Sequence, residues 1–122
     1  MDRLRTALIG CGKVGRIHAS ALRELPESEF VAACDPQRER AEAFAALHGT
    51  RAYADVGTML AETGARAVVI GTPHPLHAAA AITAMEAGVH VLVEKPMATS
   101  LDDCDAMLAA ARRTGTTLGV VS

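Results

Sequence analysis

Short apolar runs closed by glycines alternate with segments whose apolar residues recur at helical spacing, from one end of the chain to the other. Runs of four to six apolar residues between turn formers read as buried strands, and the longer periodic segments as helices. Leu4 to Ile9 is a first strand, and Lys13 to Leu25, with Val14, Ile17, Leu22 and Leu25 spaced along it, is a helix that Pro26 stops. Phe30 to Cys34 is a second strand. Asp35-Pro36 then opens a helix with proline in its first turn, which runs from Gln37 to His48 and is capped by Gly49. A brief strand, Arg51 to Tyr53, leads to Asp55 as the N-cap of a short helix, and Ala67 to Ile70 is a buried strand ending in Gly71. An alanine-rich helix from about Pro75 to Ala87 closes on Gly88, followed by a strand from His90 to Val93. Ser100-Leu101-Asp102-Asp103 resembles a capping box with Asp for Glu, and its helix stops at Gly115 before a last strand, Thr117 to Val121.

Strand and helix in strict alternation point to an α/β fold around a mostly parallel sheet, since parallel neighbours need a crossover and a helix supplies it. Right-handed crossovers make a doubly wound Rossmann-type sheet of six strands the natural assembly, with order 3-2-1-4-5-6 and helices on both faces. Residues 1–122 make one such domain, without a linker or low-complexity stretch. Ligands of such sheets bind at the strand carboxyl ends where the order reverses, so chemistry is expected after strands one, two, four and five.

Composition narrows the partners. With two Phe, one Tyr and no Trp in 122 residues, the chain has few faces on which bases could stack. A net charge of -2 with scattered Lys and Arg leaves no basic footprint for nucleic acid or an anionic membrane. No apolar run approaches the roughly 20 residues of a spanning helix, and no secretory h-region precedes the first glycines, so a cytoplasmic location is expected. Cys11, Cys34 and Cys104 are odd in number and lack C-x-x-C spacing, which suits reduced, buried fillers rather than a disulfide framework or zinc site.

The chemistry begins at Gly10-Cys11-Gly12-Lys13-Val14-Gly15. This G-x-G-x-x-G run follows a strand and opens a helix. Gly10 can make the turn, Gly12 can admit a pyrophosphate to the backbone, and Gly15 can let helix and strand pack closely, while the helix amides face the phosphates. Asp35 lies twenty positions beyond Gly15 at the end of the second strand, where a carboxylate accepts bonds from both adenine-ribose hydroxyls and repels a 2′-phosphate. NAD is the expected cofactor, and Arg38, able to approach a 2′-phosphate, leaves NADP open. The plain alternatives are a structural turn for the glycines and a helix cap for Asp35. Lys95, at the carboxyl end of a central strand, suits a group that stabilises or takes a hydroxyl proton while hydride leaves; a lone lysine is otherwise a solvated surface cation.

Together with Gly71-Thr72-Pro73-His74-Pro75-Leu76-His77 and Glu94-Lys95-Pro96, these features resemble the glucose-fructose oxidoreductase and inositol dehydrogenase (Gfo/Idh/MocA) family. The resemblance spans the whole chain. It implies that Gly71, Thr72 and Pro73 line the cofactor beside its nicotinamide half, that Glu94 lies against the nicotinamide ribose and carboxamide, and that Lys95, with Pro96 fixing its direction, is catalytic at the substrate. His77 matches the family's usual histidine; His74 stands where the family more often has Asn. His18 also matches a family position, although a half-buried histidine bonded locally is the simpler account. Val89 replaces the family's common Lys and is expected to face solvent in a loop. No metal is expected, because His74 and His77 have no companion ligands and flanking prolines disfavour a helical pair.

The family's α/β substrate domain is absent from this chain, so these residues imply a domain that binds cofactor without turnover. In the whole protein it would serve hydride transfer between NAD(P) and a hydroxyl of a sugar, polyol or related small molecule. A non-enzymatic NAD-binding sensor or assembly module is the alternative. Homo-oligomers of the full-length protein remain open, and substrate identity lies outside these residues.

Overall fold

The computed structural model describes residues 3–71, 77–94 and 100–120, and within helices it gives the backbone alone for Lys13, Val14, Arg16 and His77. In chain order the elements are β1 (Leu4–Ile9), α1 (Lys13–Glu24), β2 (Ser28–Cys34), α2 (Arg38–His48), β3 (Arg51–Tyr53), α3 (Val56–Thr63), β4 (Ala67–Ile70), α4 (His77–Glu86), β5 (His90–Val93), α5 (Leu101–Thr114) and β6 (Leu118–Val120). The six strands form one sheet in the expected order β3-β2-β1-β4-β5-β6, and every neighbouring pair is parallel where a mostly parallel sheet was expected.

Alternate strand residues feed two cores. Ala7, Ile9, Ala32, Cys34, Val68, Ile70, Val91 and Val93 point to the side covered by α3, α4 and α5, where Met59, Met85 and Met107 fill the larger cluster. Leu8, Ala33 and Val69 point the other way, against Ala19 and Leu22 of α1 and Phe44 of α2. Large unbranched methionines beside many alanines suit this closeness, because the flexible thioether fills irregular gaps left by small neighbours.

The turn chemistry behaves as read. Gly49, Gly88 and Gly115 all take positive φ after helices, where a side chain would be strained, and Gly64, which was not among the expected stops, does the same after α3. The Asp55 side chain accepts from the Thr58 amide and the Ser100 side chain from the Asp103 amide, capping α3 and α5. No helix among the described residues is long and apolar enough to cross a membrane.

Four expectations need correction. Ile17 is 72% and Leu25 51% exposed, so they do not belong to the buried face of α1. That face is Gly15, Ala19 and Leu22, the first two small enough to let the helix lie close to the sheet and Leu22 filling the core beside them. Helix α2 starts at Arg38 with Gln37 as its N-cap, because Asp35 and Pro36 are held in a turn before it. Val89 is buried at 3% exposure in the larger core, not solvent-facing, and its amide donates to Ala84 O at 3.0 Å. Cys104 is only half-buried on α5, whereas Cys11 and Cys34 are fully buried; all three are free thiols.

Candidate functional site

Strand register decides where the candidate residues emerge. Ile9 is level with both Cys34 and Ile70, and Ile70 is level with Val93. The next residue of each strand is Gly10, Asp35, Gly71 and Glu94. Four sequence-distant candidates therefore leave the sheet side by side at its carboxyl edge. Each amide continues the ladder by one step: Gly10 N donates to Cys34 O at 2.8 Å, Gly71 N to Ile9 O at 2.8 Å, Asp35 N to Tyr53 O at 3.0 Å and Glu94 N to Ile70 O at 3.2 Å. A bulge between Thr6 and Ala7 opposite β2 produces this alignment, since it admits one extra residue on β2 before Cys34.

The glycine turn sits where the order reverses between β1 and β4. Gly10 has φ 102°, a conformation that side chains rarely adopt. At Gly15 a Cβ would overlap the Gly10 carbonyl oxygen and press on Leu8 Cδ2 at 3.4 Å, so the glycine is what allows α1 to pack on the strand. At Gly12 an added Cβ would meet nothing within 4 Å. Gly12 is the N-cap of α1, which has no side-chain cap and no acidic residue in its first turn. The amides and positive end of this helix thus face an open cradle, an arrangement suited to an anion.

Asp35 is 5% exposed and both carboxylate oxygens are engaged. Oδ2 accepts from Cys11 N at 2.9 Å and Oδ1 from Gln37 N at 2.8 Å. The acid therefore ties the glycine turn to the loop after β2, and the local-turn reading of Asp35 describes part of its work. Each oxygen still has lone-pair capacity for a ligand hydroxyl. Arg38 lies exposed at the start of α2, two residues past the fixed loop. Beside the acid, Ile9, Cys34, Pro36, Val56, Ala80 and Thr83 line a cleft of about 290 Å³.

Burial, then the Asp35 carboxylate, pushes the Cys11 thiol up to about 12, and burial, then Asp55, pushes Cys34 up to about 11. Both are neutral thiols near neutral pH. Cys11 Sγ donates weakly to Cys34 O at 3.6 Å, a packing role rather than a nucleophile's.

At the other side of the turn, Glu94 meets a partner that spacing did not suggest. Its Oε1 is hydrogen-bonded to His18 Nε2, 76 residues away. The expectation of a local bond for His18 is thus corrected: α1 runs past the end of β4, and the fold brings the imidazole across it. His18 Cδ2 lies 3.9 Å from the place a Cβ of Gly71 would occupy. Nothing in one-dimensional spacing marks such a pair; only the register of β1, β4 and β5 does.

Gly10, Cys11, Gly12, Gly15, Asp35, Gly71 and Glu94 are thus gathered at one edge, with the backbones of Lys13 and Val14 in the first turn of α1. The assignments to Thr72, Pro73, His74, Lys95 and Pro96, and to the side chains of Lys13, Val14 and His77, fall outside the described residues.

Comparison with known proteins places the chain in a family. The profile of an oxidoreductase family, described by its NAD-binding Rossmann fold (GFO_IDH_MocA), matches residues 4–122. D-Apiose dehydrogenase of Paraburkholderia graminis is 40% identical over 121 residues, covering 98% of this chain and 32% of the relative. UDP-N-acetylglucosamine 3-dehydrogenase of Acidithiobacillus ferrooxidans is 38% identical over 92% of this chain and 34% of its own length. The WlbA dehydrogenase of Bordetella pertussis, solved in complex with NADH and UDP-GlcNAcA, superposes with a TM-score of 0.92 at 38% identity, covering 98% of this chain and 37% of that one. The chain spans about a third of the length of these relatives.

Proposed function

Because this chain belongs to the Gfo/Idh/MocA oxidoreductase family with its NAD-binding Rossmann fold, we propose that residues 1–122 are the cofactor domain of a dehydrogenase acting on a hydroxyl of a sugar, polyol or related small molecule. The relatives are named dehydrogenases of such compounds, and their greater length leaves room for a substrate-holding part outside these residues. The observation that carries the reading is the contrast within the glycine turn: Gly15 is closed by the Gly10 carbonyl, while Gly12 opens on empty space beside uncapped helix amides.

The residues present fit a dinucleotide. In our assignment the amides from Gly12 to Gly15, with the positive end of α1, bind the pyrophosphate, while the Cys11 amide stays with Asp35. Asp35, already fixed by two backbone amides, accepts the adenine-ribose hydroxyls, and its charge disfavours a 2′-phosphate, so NAD is preferred over NADP. Arg38 is the residue by which NADP would be accommodated. Gly71, Thr72, Pro73, His74 and His77 line the nicotinamide half with Glu94 and Pro96. Lys95 holds or takes the hydroxyl proton of the substrate. When bound, the nicotinamide supplies the hydride acceptor or donor.

The first test is calorimetric titration of NAD and NADP into the chain and into Gly12→Ala. Asp35→Ala serves less well alone, because it also releases the Cys11 and Gln37 amides. NAD binding that is tighter than NADP binding and lost in Gly12→Ala supports the reading. Binding indifferent to that methyl group removes the pyrophosphate from the glycine turn, and an NADP preference moves the cofactor choice from Asp35 to Arg38.

A further inference from the structure

His18 has no part in the reading above, yet it is tied into the crevice. Its Nε2 bonds to Glu94 Oε1 across 76 residues, and the two side chains are only 15% and 22% exposed. An exposed ion pair contributes little, because water and salt screen it, whereas a half-buried bond holds its partners more firmly. The imidazole Cδ2 also stands 3.9 Å from the place a Cβ of Gly71 would occupy, where α1 passes the end of β4. Three elements, α1, β4 and β5, thus converge on one ring. A glutamate at a strand end has several rotatable bonds, and its free side chain would sample many rotamers; the bond from His18 limits that choice.

The position of the pair in the crevice gives it a direction. A dinucleotide lies across the switch point with one half on each side. Asp35 follows β2 on one side of the glycine turn, and Glu94 follows β5 on the other. We propose that His18 is a positioning residue: by holding Glu94 Oε1 it sets the carboxylate that receives the nicotinamide half. The proposal rests on the dinucleotide reading and adds to it a residue on a different element that acts through Glu94.

The test compares two ligands that share the adenosine and the pyrophosphate, NAD and ADP, titrated into the chain and its variants. His18→Ala should weaken NAD about tenfold, the size of one hydrogen bond to a charged group, while ADP changes less than about twofold. His18→Gln, whose amide nitrogen can stand near the place of Nε2, should recover most of the loss, and it covers the case in which His18→Ala folds poorly. Adding His18→Ala to Glu94→Ala should cost nothing further, because the two act as one unit. Equal losses for NAD and ADP would make His18 a support of α1 alone and overturn the proposal, as would additive effects in the double variant. Wild-type chain that binds NAD no better than ADP would overturn it with the cofactor reading intact, whereas wild type that binds neither would overturn that reading as well.

Discussion

Gly12 and Gly15 stand three residues apart, and a methyl group added at each meets opposite surroundings. Gly15→Ala forces the Gly10 carbonyl and Leu8 to move, an overpacking expected to cost about 1–3 kcal/mol in urea unfolding. Gly12→Ala should stay within about 1 kcal/mol of wild type, since its backbone is extended and its surroundings empty, yet it should lose NAD binding. A stable Gly15→Ala would show that helix and strand can separate there without loss. The cysteines divide similarly. Cys11 and Cys34, buried with thiols raised to about 12 and about 11, should resist a thiol reagent at pH 8 until the chain unfolds, while half-buried Cys104 reacts in the folded state. Three equal rates under native conditions would contradict the burial described.

Among the helices, α3 and α5 are closed by side-chain caps, whereas α1 is not. Asp55 Oδ2 accepts from both Thr58 N and Thr58 Oγ1 at 2.8 Å, and Ser100 Oγ accepts from Asp103 N at 3.1 Å. Asp55→Ala and Ser100→Ala should each lower stability by about 1 kcal/mol, Asp55→Ala by the larger amount, with NAD affinity unchanged in Ser100→Ala. Urea midpoints and titration on the same samples check this, and an equal or reversed order would mean that the second bond to Thr58 adds nothing. Helix α1 carries no such side chain, in keeping with amides that serve a ligand. Its sequence was legible as a helix, and Gly15 and Leu22 of its buried face were legible too, but Ala19 was not. Ile17 and Leu25 drew attention by size, whereas contact with the sheet is made by Gly15, Ala19 and Leu22. Where a Cβ would strike the strand, as at Gly15, a glycine marks the interface.

For the molecule as a whole, His48 links stability to acid. Its ring packs between Phe30 and Phe44, at centroid distances of 6.0 and 5.7 Å, and its Nδ1 is buried with no hydrogen-bond partner among the described residues. Burial, then the charge of Arg23, pulls its pKa below the ordinary 6.5. The unfolded chain therefore takes up this proton at a higher pH than the folded one. The stability contributed by neutral His48 is complete above about 6.5 and is lost as pH falls through the folded value. His48→Phe, which keeps a ring in the same place, should flatten the acid side of a plot of unfolding midpoint against pH, leaving the neutral side nearly level. An unchanged slope would assign the acid sensitivity to other groups.

The order of strands and helices, their approximate ends and a mostly parallel sheet followed from the sequence by itself, because apolar period, glycine stops and caps are local properties of neighbouring residues. The glycine turn and Asp35 were legible for the same reason: their spacing within one strand-turn-helix-strand unit constrains where they emerge. What the tertiary structure alone decided were relations between distant segments. The register that sets Gly10, Asp35, Gly71 and Glu94 level at one edge, the engagement of Asp35 by Cys11 and Gln37, the burial of Val89, and the bond from His18 to Glu94 all depend on which strands are neighbours and how they align. Local pattern determines each element because it is written in adjacent residues. A contact spanning 76 residues exists only once the sheet has fixed both of its ends.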